Sequence, residues 1–343
     1  MPRGRPSRAT VYARLDGAMT ELRERLGGLP SPKESEFIWS DIWHLEAHHS
    51  TALEGNTLVL REVEALLEKG RAVGAKPLKE YMEVQGYGQA ARWVYGQALE
   101  PDWRQSALIT VTEVRQIHDR AMTPIWQVAA HADATDREGP GMFREHNLHP
   151  FSEGMTPPEW PLVPPRLQDW IDRVGELAPT LTESAISTTP LPEQLAEIHS
   201  GFEMVHPFID GNGRTGRLIL NLILVRLGLP PVIVLKTQRA AYLAALQKSD
   251  DGDHGPLGEI LARAMYDNLN RFIVPGVAVP ARLVPLVALA DDVFSVAALR
   301  QAATRGRLDA VQGADGIWRS SRTAVEEYAR VKGQRKGRSG LLP

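Results

Sequence analysis

One stretch constrains this chain more than any other. From Leu218 to Leu227 it reads LILNLILVRL, apolar on every face of a helix. A helix with no polar side has nothing to offer water and must be wrapped by other elements. A membrane span needs ~20 apolar residues, and this run is broken by Asn221, Arg226 and the prolines at 230 and 231. It therefore predicts a central buried helix in a soluble protein. Helical periodicity elsewhere supplies the wrapping: VYARLDGAMTELRERL, a segment from about Pro32 to Gly55, LREVEALLEKG, TVTEVRQIHDRAM, PRLQDWIDRVGEL and LPEQLAEIHSGFEMV. The expected class is mainly α, and 43% apolar residues among 343 are enough for a sizeable core.

The densest chemistry sits directly before that helix. HPFIDGNGRTGR, His206 to Arg217, brings together an imidazole, an acid, three glycines, an amide and two arginines. At a helix N-terminus the free N–H groups and the dipole favour anions. Gly211 and Gly213 let the backbone curl into a nest of N–H donors. Arg214 and Arg217, three apart, share a helical face and offer two guanidinium forks to a polyphosphate. GNGRTG also fits the dinucleotide fingerprint G-x-G-x-x-G. That fingerprint needs a strand before it and an acid ~20 residues after it; here the preceding segment is helical in period and Lys236 stands at the later place.

These residues resemble the Fic motif, H-P-F-x-[DE]-G-N-G-R-x-x-R, and fill every specified position: His206, Pro207, Phe208, Asp210, Gly211, Asn212, Gly213, Arg214 and Arg217. The resemblance implies a protein adenylyltransferase that moves AMP from ATP to a Ser, Thr or Tyr hydroxyl of a target protein. His206 is then the general base, and Phe208 packs inward. Asp210 is the ligand of Mg²⁺. Gly211, Asn212 and Gly213 cradle phosphate oxygens, and Arg214 and Arg217 hold the β- and γ-phosphates. Gly213, where a phosphorylating branch carries lysine, favours AMP transfer. GPGMFREHN and PPEWPLVPPRL resemble the family's flap, a short β-hairpin at about 141–158 that docks the target through Leu148, Pro150, Phe151 and Met155. Tyr242 either edges the adenine or packs.

Upstream, STALEGN, Ser50 to Asn56, resembles the family's inhibitory motif. Ser50 and Glu54 are four apart and share a helical face; Gly55 and Asn56 end the helix. The resemblance implies that Glu54 pairs with Arg217 and denies it to the γ-phosphate. Brake alone, or brake plus a hydrolase that removes AMP, both remain open. A DNA-binding regulator whose Fic core senses nucleotide is the rival class; an intact His206 argues against it.

The expected organisation is a basic arm and helix at 1–30, a Fic core at 31–275 with its inhibitory helix at about 40–56, and a linker and small module at 276–343. VPGVAVPARLVP reads as the linker. In the module Ser295 caps a helix, Gly306 turns it, DAVQGADGIWRS makes a hairpin and a second helix follows, resembling a winged helix-turn-helix. Such modules bind DNA or proteins. RGRP at the N-terminus matches an AT-hook core, with Arg3 and Arg5 as candidate minor-groove contacts. The net charge of −3 argues against a polyanion binder as a whole. The absence of cysteine excludes disulfides and thiolate sites. With no apolar stretch behind the N-terminal charges, the expected location is the cytoplasm. HLEAH, His44 to His48, reads as a helix face rather than a zinc site. His118, His146, His149 and His199 are expected in core or surface roles, and Trp39, Trp43, Trp93 and Trp103 in the core.

Overall fold

The computed structural model describes residues 6–26, 28–30, 36–98, 107–149, 155–182, 188–277, 283–313 and 316–338. The expected contacts Arg3, Arg5, Pro150 and Phe151 lie outside these residues, as do the helix start near Pro32 and Trp103. The chain divides into two compact units, residues 1–20 with 31–268 and residues 21–30 with 269–343.

The first unit is helical. It holds α1 (Arg8–Arg25) up to Thr20, α2 (Glu36–Leu53), α3 (Leu60–Lys69), α4 (Leu78–Ala98), α5 (Val111–Trp126), α6 (Val163–Thr182), α7 (Leu191–Val205), α8 (Asn212–Arg226), α9 (Arg239–Asp250) and α10 (Gly255–Asn268). The apolar run is the buried axis, α8, packed against α4, α5 and α7. Leu218, Leu222, Ile223 and Leu224 are fully buried, each contributing ~1.5–3 kcal/mol. Its two polar interruptions are satisfied rather than exposed. Asn221 exchanges hydrogen bonds with the Val232 backbone, and Arg226 donates to Leu108 O and pairs with Glu113. Thr110 caps α5 by accepting from Glu113 N, with Glu113 reaching back in a capping box. Such local devices fix where the helices that flank the site begin.

No strand forms in the described residues of the expected flap, 141–149 and 155–158. Side-chain bonds organise this loop in place of a ladder. Arg144, 1% exposed, donates to His146 O, Pro158 O and His206 O, and Glu138 accepts from the N–H groups of Thr135 and Glu145. Three carbonyls converging on one guanidinium satisfy backbone groups that a hairpin would pair with each other.

The second unit contains α11 (Val274–Val277), β1 (Val284–Pro285), α12 (Val296–Thr304), β2 (Ala310–Gln312), β3 (Trp318–Ser320) and α13 (Arg322–Arg338). Ser295 caps α12 by accepting from Ala298 N, and Gly306 takes φ 63° after it. The sheet is antiparallel in the order β1-β3-β2. The linker reading differs from the structure at both ends: Val274–Val277 are α11, and Val284 and Pro285 are a strand, paired with Ser320 and Arg319. Pro285 lacks an N–H and is tolerated because β1 is an edge. Phe294 and Tyr328 rings, 5.4 Å apart, close the small core.

Candidate active site

The polar cluster becomes a turn between two helices. α7 ends at His206, which adopts φ 46° and ψ 60° as its C-cap. It is the one non-glycine residue with positive φ among those described. Strained backbone of this kind costs ~1–3 kcal/mol and persists where surroundings enforce it. Here Arg144 Nε holds the His206 carbonyl at 2.9 Å, and Arg144 N donates to Pro207 O at 3.0 Å. Phe208 is fully buried and stacks on His118 at 3.6 Å between centroids. Both His118 nitrogens are used: Nδ1 accepts from Gly141 N at 2.8 Å, which leaves Nε2 to donate to Asp210 O at 2.9 Å. His118 therefore ties the turn to the start of the flap.

His206 is poised as a base. Its Nδ1 lies 3.1 Å from the Glu203 carbonyl, which selects the tautomer with Nδ1 protonated and Nε2 basic. Burial, with the Arg144 charge pushing the same way, lowers its pKa to about 4, so the imidazole is neutral at pH 7. Glu203 itself was not visible as a site residue. Its carboxyl is pushed up to about 7 by burial, and its Oε1 has no hydrogen-bond partner among the described residues.

The N-terminus of α8 faces a cleft of about 330 Å³ lined by Glu54, Leu148, His149, His206, Ile209 and residues 210–214. A hollow of about 400 Å³ between α2, α3 and α4 is larger, but it lacks a helix N-terminus and a convergent anion site. Gly211 caps α8 with φ 78°, and an added Cβ would meet Met122 Sδ at 2.5 Å. Gly213 departs from expectation: it is an ordinary helical residue, not a left-handed one. Its missing side chain matters for another reason, because a Cβ there would come within 2.7 Å of Glu54 Oε1. Asn212 also differs. Its side chain is spent on the loop, accepting from Phe208 N at 2.9 Å and donating to Phe208 O at 2.8 Å. Only its backbone N–H is left for an anion.

Asp210 Oδ1 accepts from Gly211 N at 2.6 Å and Arg214 Nη2 at 3.0 Å. Burial pushes its pKa up, but Arg214 and the Gly211 N–H outweigh that and hold it below the usual range. Its 34% exposed side chain thus presents an ionised, hard oxygen to the cleft. That fits a Mg²⁺ ligand. Arg214 Nε and Nη1 are buried with no hydrogen-bond partner among the described residues, and Nη1 lies 4.0 Å from the Glu83 carboxylate.

Glu54 meets Arg217, the partner the resemblance implied, and Ser50 joins them. Arg217 donates from Nε to Ser50 Oγ at 2.7 Å, and from Nη2 to Ser50 O at 3.1 Å and Glu54 Oε1 at 2.7 Å. For Glu54, burial is outweighed by the Arg217 charge and hydrogen bond, and its pKa lies below the usual carboxylate value. Asn56 does not touch the site. It donates to Glu80 O and Glu83 Oε2 at 2.9 Å each, bracing the helix end on α4. Tyr242 is 2% exposed and 2.6 Å from His199 Nε2, close enough to Arg217 for the two to interact electrostatically. It belongs to the floor beneath Arg217 and not to an open adenine wall. Leu148 lines the cleft and Met155 is half-buried.

Comparison with known proteins agrees with this geometry. Residues 108–224 match the Fic/DOC family. Protein adenylyltransferase fic-1 of Caenorhabditis briggsae is 29% identical over 271 residues, 79% of this chain and 49% of that protein. Protein adenylyltransferase Fic of Drosophila willistoni is 31% identical over 229 residues, 66% of this chain and 41% of that one. The chain thus spans about half the length of the curated relatives it matches. Among solved structures, Fic-1 of C. elegans superposes with a TM-score of 0.61 at 29% identity, covering 79% of this chain and 72% of that one. A Fic-domain signalling protein of Bacteroides thetaiotaomicron shares the fold with a TM-score of 0.57 at 21% identity.

Proposed function

Because the chain carries a Fic domain, we propose that it transfers AMP from ATP to a hydroxyl of a target protein and that Glu54 holds this activity off at rest. The observation that carries the reading is the Glu54–Arg217 pair of 2.7 Å at the mouth of the α8 anion site, with neutral His206 beside it. The polyphosphate lies over the N–H groups of α8, and Arg214 and Arg217 take its outer phosphates. A hydroxyl oxygen then attacks the α-phosphorus, the bond to the β-phosphate oxygen breaks, and pyrophosphate leaves. His206 Nε2 accepts the hydroxyl proton. The α8 N–H groups face the charge that builds on the α-phosphate. Asp210 is the group suited to hold Mg²⁺, which when bound neutralises phosphate charge. Leu148 and the rest of the flap contact the target segment. The cytoplasm is the setting this reading assumes.

The brake follows from occupancy. While Glu54 holds Arg217, the γ-phosphate has lost a donor and the α-phosphorus is not aimed at the hydroxyl. Labelled-ATP transfer, self-modification included, tests this. Glu54→Gly should raise transfer by about 5–150-fold, the usual span of a coupling between exclusive contacts. Glu54→Gln should rise less, because an amide still bonds but carries no charge. Arg217→Ala should not be activated, since the phosphate partner goes with the brake. An activated Arg217→Ala, or a silent Glu54→Gly, would contradict the competition and turn attention to Glu54 as a residue that directs water for AMP removal.

A second reading concerns the C-terminal module. Arg300, Arg305, Arg307 and Arg322 are exposed on it, but so are Asp291, Asp292, Asp309, Glu326 and Glu327, and Arg330 pairs with Glu327 at 3.3 Å. Binding of duplex DNA would rest on Arg300, Arg305, Arg307 and Arg322.

A further inference from the structure

Arg217 is held by more than its ion pair. Beyond Ser50 the bonds continue inward. The Ser50 side chain comes up against Tyr87, and the Tyr87 hydroxyl donates to Glu46 Oε1 at 2.7 Å. Glu46 also accepts from Asn221 Nδ2 at 2.8 Å on Oε1 and from Tyr95 at 2.6 Å on Oε2. Glu46 is 2% exposed, and Tyr87, Tyr95 and Ser50 are as deeply buried. Glu46 and Ser50, four residues apart, lie on one face of α2, and Glu54 follows at the same spacing in the turn just past its end.

The direction of this chain of bonds can be assigned. Val232 N can only donate, and it donates to Asn221 Oδ1 at 2.7 Å. That turns the Asn221 amide nitrogen towards Glu46. Oε1 of Glu46 is therefore an acceptor, whatever the protonation of Oε2. The Tyr87 proton points at Oε1, so towards Ser50 the Tyr87 oxygen can only accept. A hydroxyl has one proton to give. Ser50 is left with its lone pairs facing Arg217 Nε. Each rotor is set by the next, in an interior where such bonds reinforce one another.

We propose that Glu46 is a positioning residue for Arg217, acting through Tyr87 and Ser50 to fix the guanidinium so that Nη2 faces the corner where an anion sits. Glu54 fills that corner at rest and the terminal phosphate of ATP fills it at work; the second half rests on the reading of Arg217 given above. The consequence is selectivity for a nucleotide with a γ-phosphate, set from the far side of α2.

The test uses the full chain carrying Glu54→Gly, with ATP and ADP titrated calorimetrically. Adding Tyr87→Phe keeps the ring and removes the middle link. ATP should weaken about 3–10-fold, the size of one ordinary hydrogen bond, while ADP stays within about twofold. Glu46→Gln keeps an acceptor at Oε1 and should stay near the parent; Glu46→Leu should match Tyr87→Phe. Melting curves check that each variant folds, and Tyr87→Phe carries the test alone should Glu46→Leu not fold. Equal losses for ATP and ADP, unchanged ATP affinity in Tyr87→Phe, or a Glu46→Gln as damaging as Glu46→Leu overturns the proposal. A Glu54→Gly parent that binds neither nucleotide overturns the transferase reading itself.

Discussion

His206 and Asn212 sit six residues apart and do opposite kinds of work. His206 borders the cleft, with Nδ1 committed to Glu203 O; on the proposed reading its Nε2 takes the hydroxyl proton. His206→Ala should cut transfer by ~10²–10⁴-fold, the usual contribution of a general base, with ATP affinity nearly unchanged in a titration. Transfer at the parent rate would falsify the role. Asn212 faces the fold, closing both ends of a loop on Phe208. Asn212→Ala would strand two backbone groups in a site where the residue is 3% exposed, a cost of ~1–3 kcal/mol. Urea unfolding should report that loss alongside reduced transfer; an unchanged midpoint would leave Asn212 as a phosphate ligand only. The sequence makes the residue types of the site legible because they lie within one short cluster. It does not show that the Asn212 side chain is held by Phe208 or that Gly213 lies against Glu54, since the spacing does not reveal those partners. Arg144 and Glu203 escape notice for the same reason, and His118 is legible only as a core or surface residue. Arg144 meets the His206 carbonyl from 62 positions away, and no periodicity encodes such a contact.

At the scale of elements, the site depends on how closely α4 and α5 approach. Gly86 on α4 sits where an added Cβ would lie 2.2 Å from Ala121 O on α5. Backbone cannot yield as a flexible side chain does. α5 also carries His118, which grips Asp210 O, and Met122, which lies against Gly211. Gly86→Ala should therefore destabilise by ~1–3 kcal/mol, as overpacking does, and should lower transfer even in the Glu54→Gly background. A melt and a transfer assay on the same preparation decide it; full activity with a lowered melting point would show that α5 can shift without disturbing the turn. Helices were the most legible elements, because α8 is apolar all round and its neighbours keep a helical period. The flap and β1 were not. The flap is organised by Arg144 and Glu138, and β1 is two residues long, too short for alternation to show.

Across the whole molecule, buried titratable groups set the response to pH. Burial depresses His118 and His206 to about 4 and His199 to about 3, against ~6.5 unfolded. Their stabilising contribution is complete above ~6.5 and is lost as pH falls towards those values. Glu203 and Asp250 run the other way. Burial raises them to about 7 and about 6, so their contribution is present at low pH and is lost as pH rises through those values. Three histidines oppose two carboxyls on the acid side, and Glu203 acts last. Stability should rise from about pH 4.5 to 7, by up to ~1.4 kcal/mol per pH unit for each uncompensated proton, and then level off, because the last histidine protons of the unfolded chain and the Glu203 proton of the fold offset each other. Urea midpoints at pH 5, 6, 7 and 8 check this; a midpoint that falls between pH 5 and 7 contradicts it. If the C-terminal module binds duplex DNA, affinity should fall steeply with salt through counterion release. Arg305→Ala with Arg307→Ala should flatten that slope in fluorescence anisotropy while transfer is untouched, and salt-insensitive binding would remove the DNA reading. The Glu54–Arg217 contact has one further consequence. Its two partners belong to one chain, so if Glu54 and the γ-phosphate compete as proposed, the strength of the competitor does not depend on protein concentration. Dilution would then leave the brake in place, and only ATP or something that draws the end of α2 aside would release it.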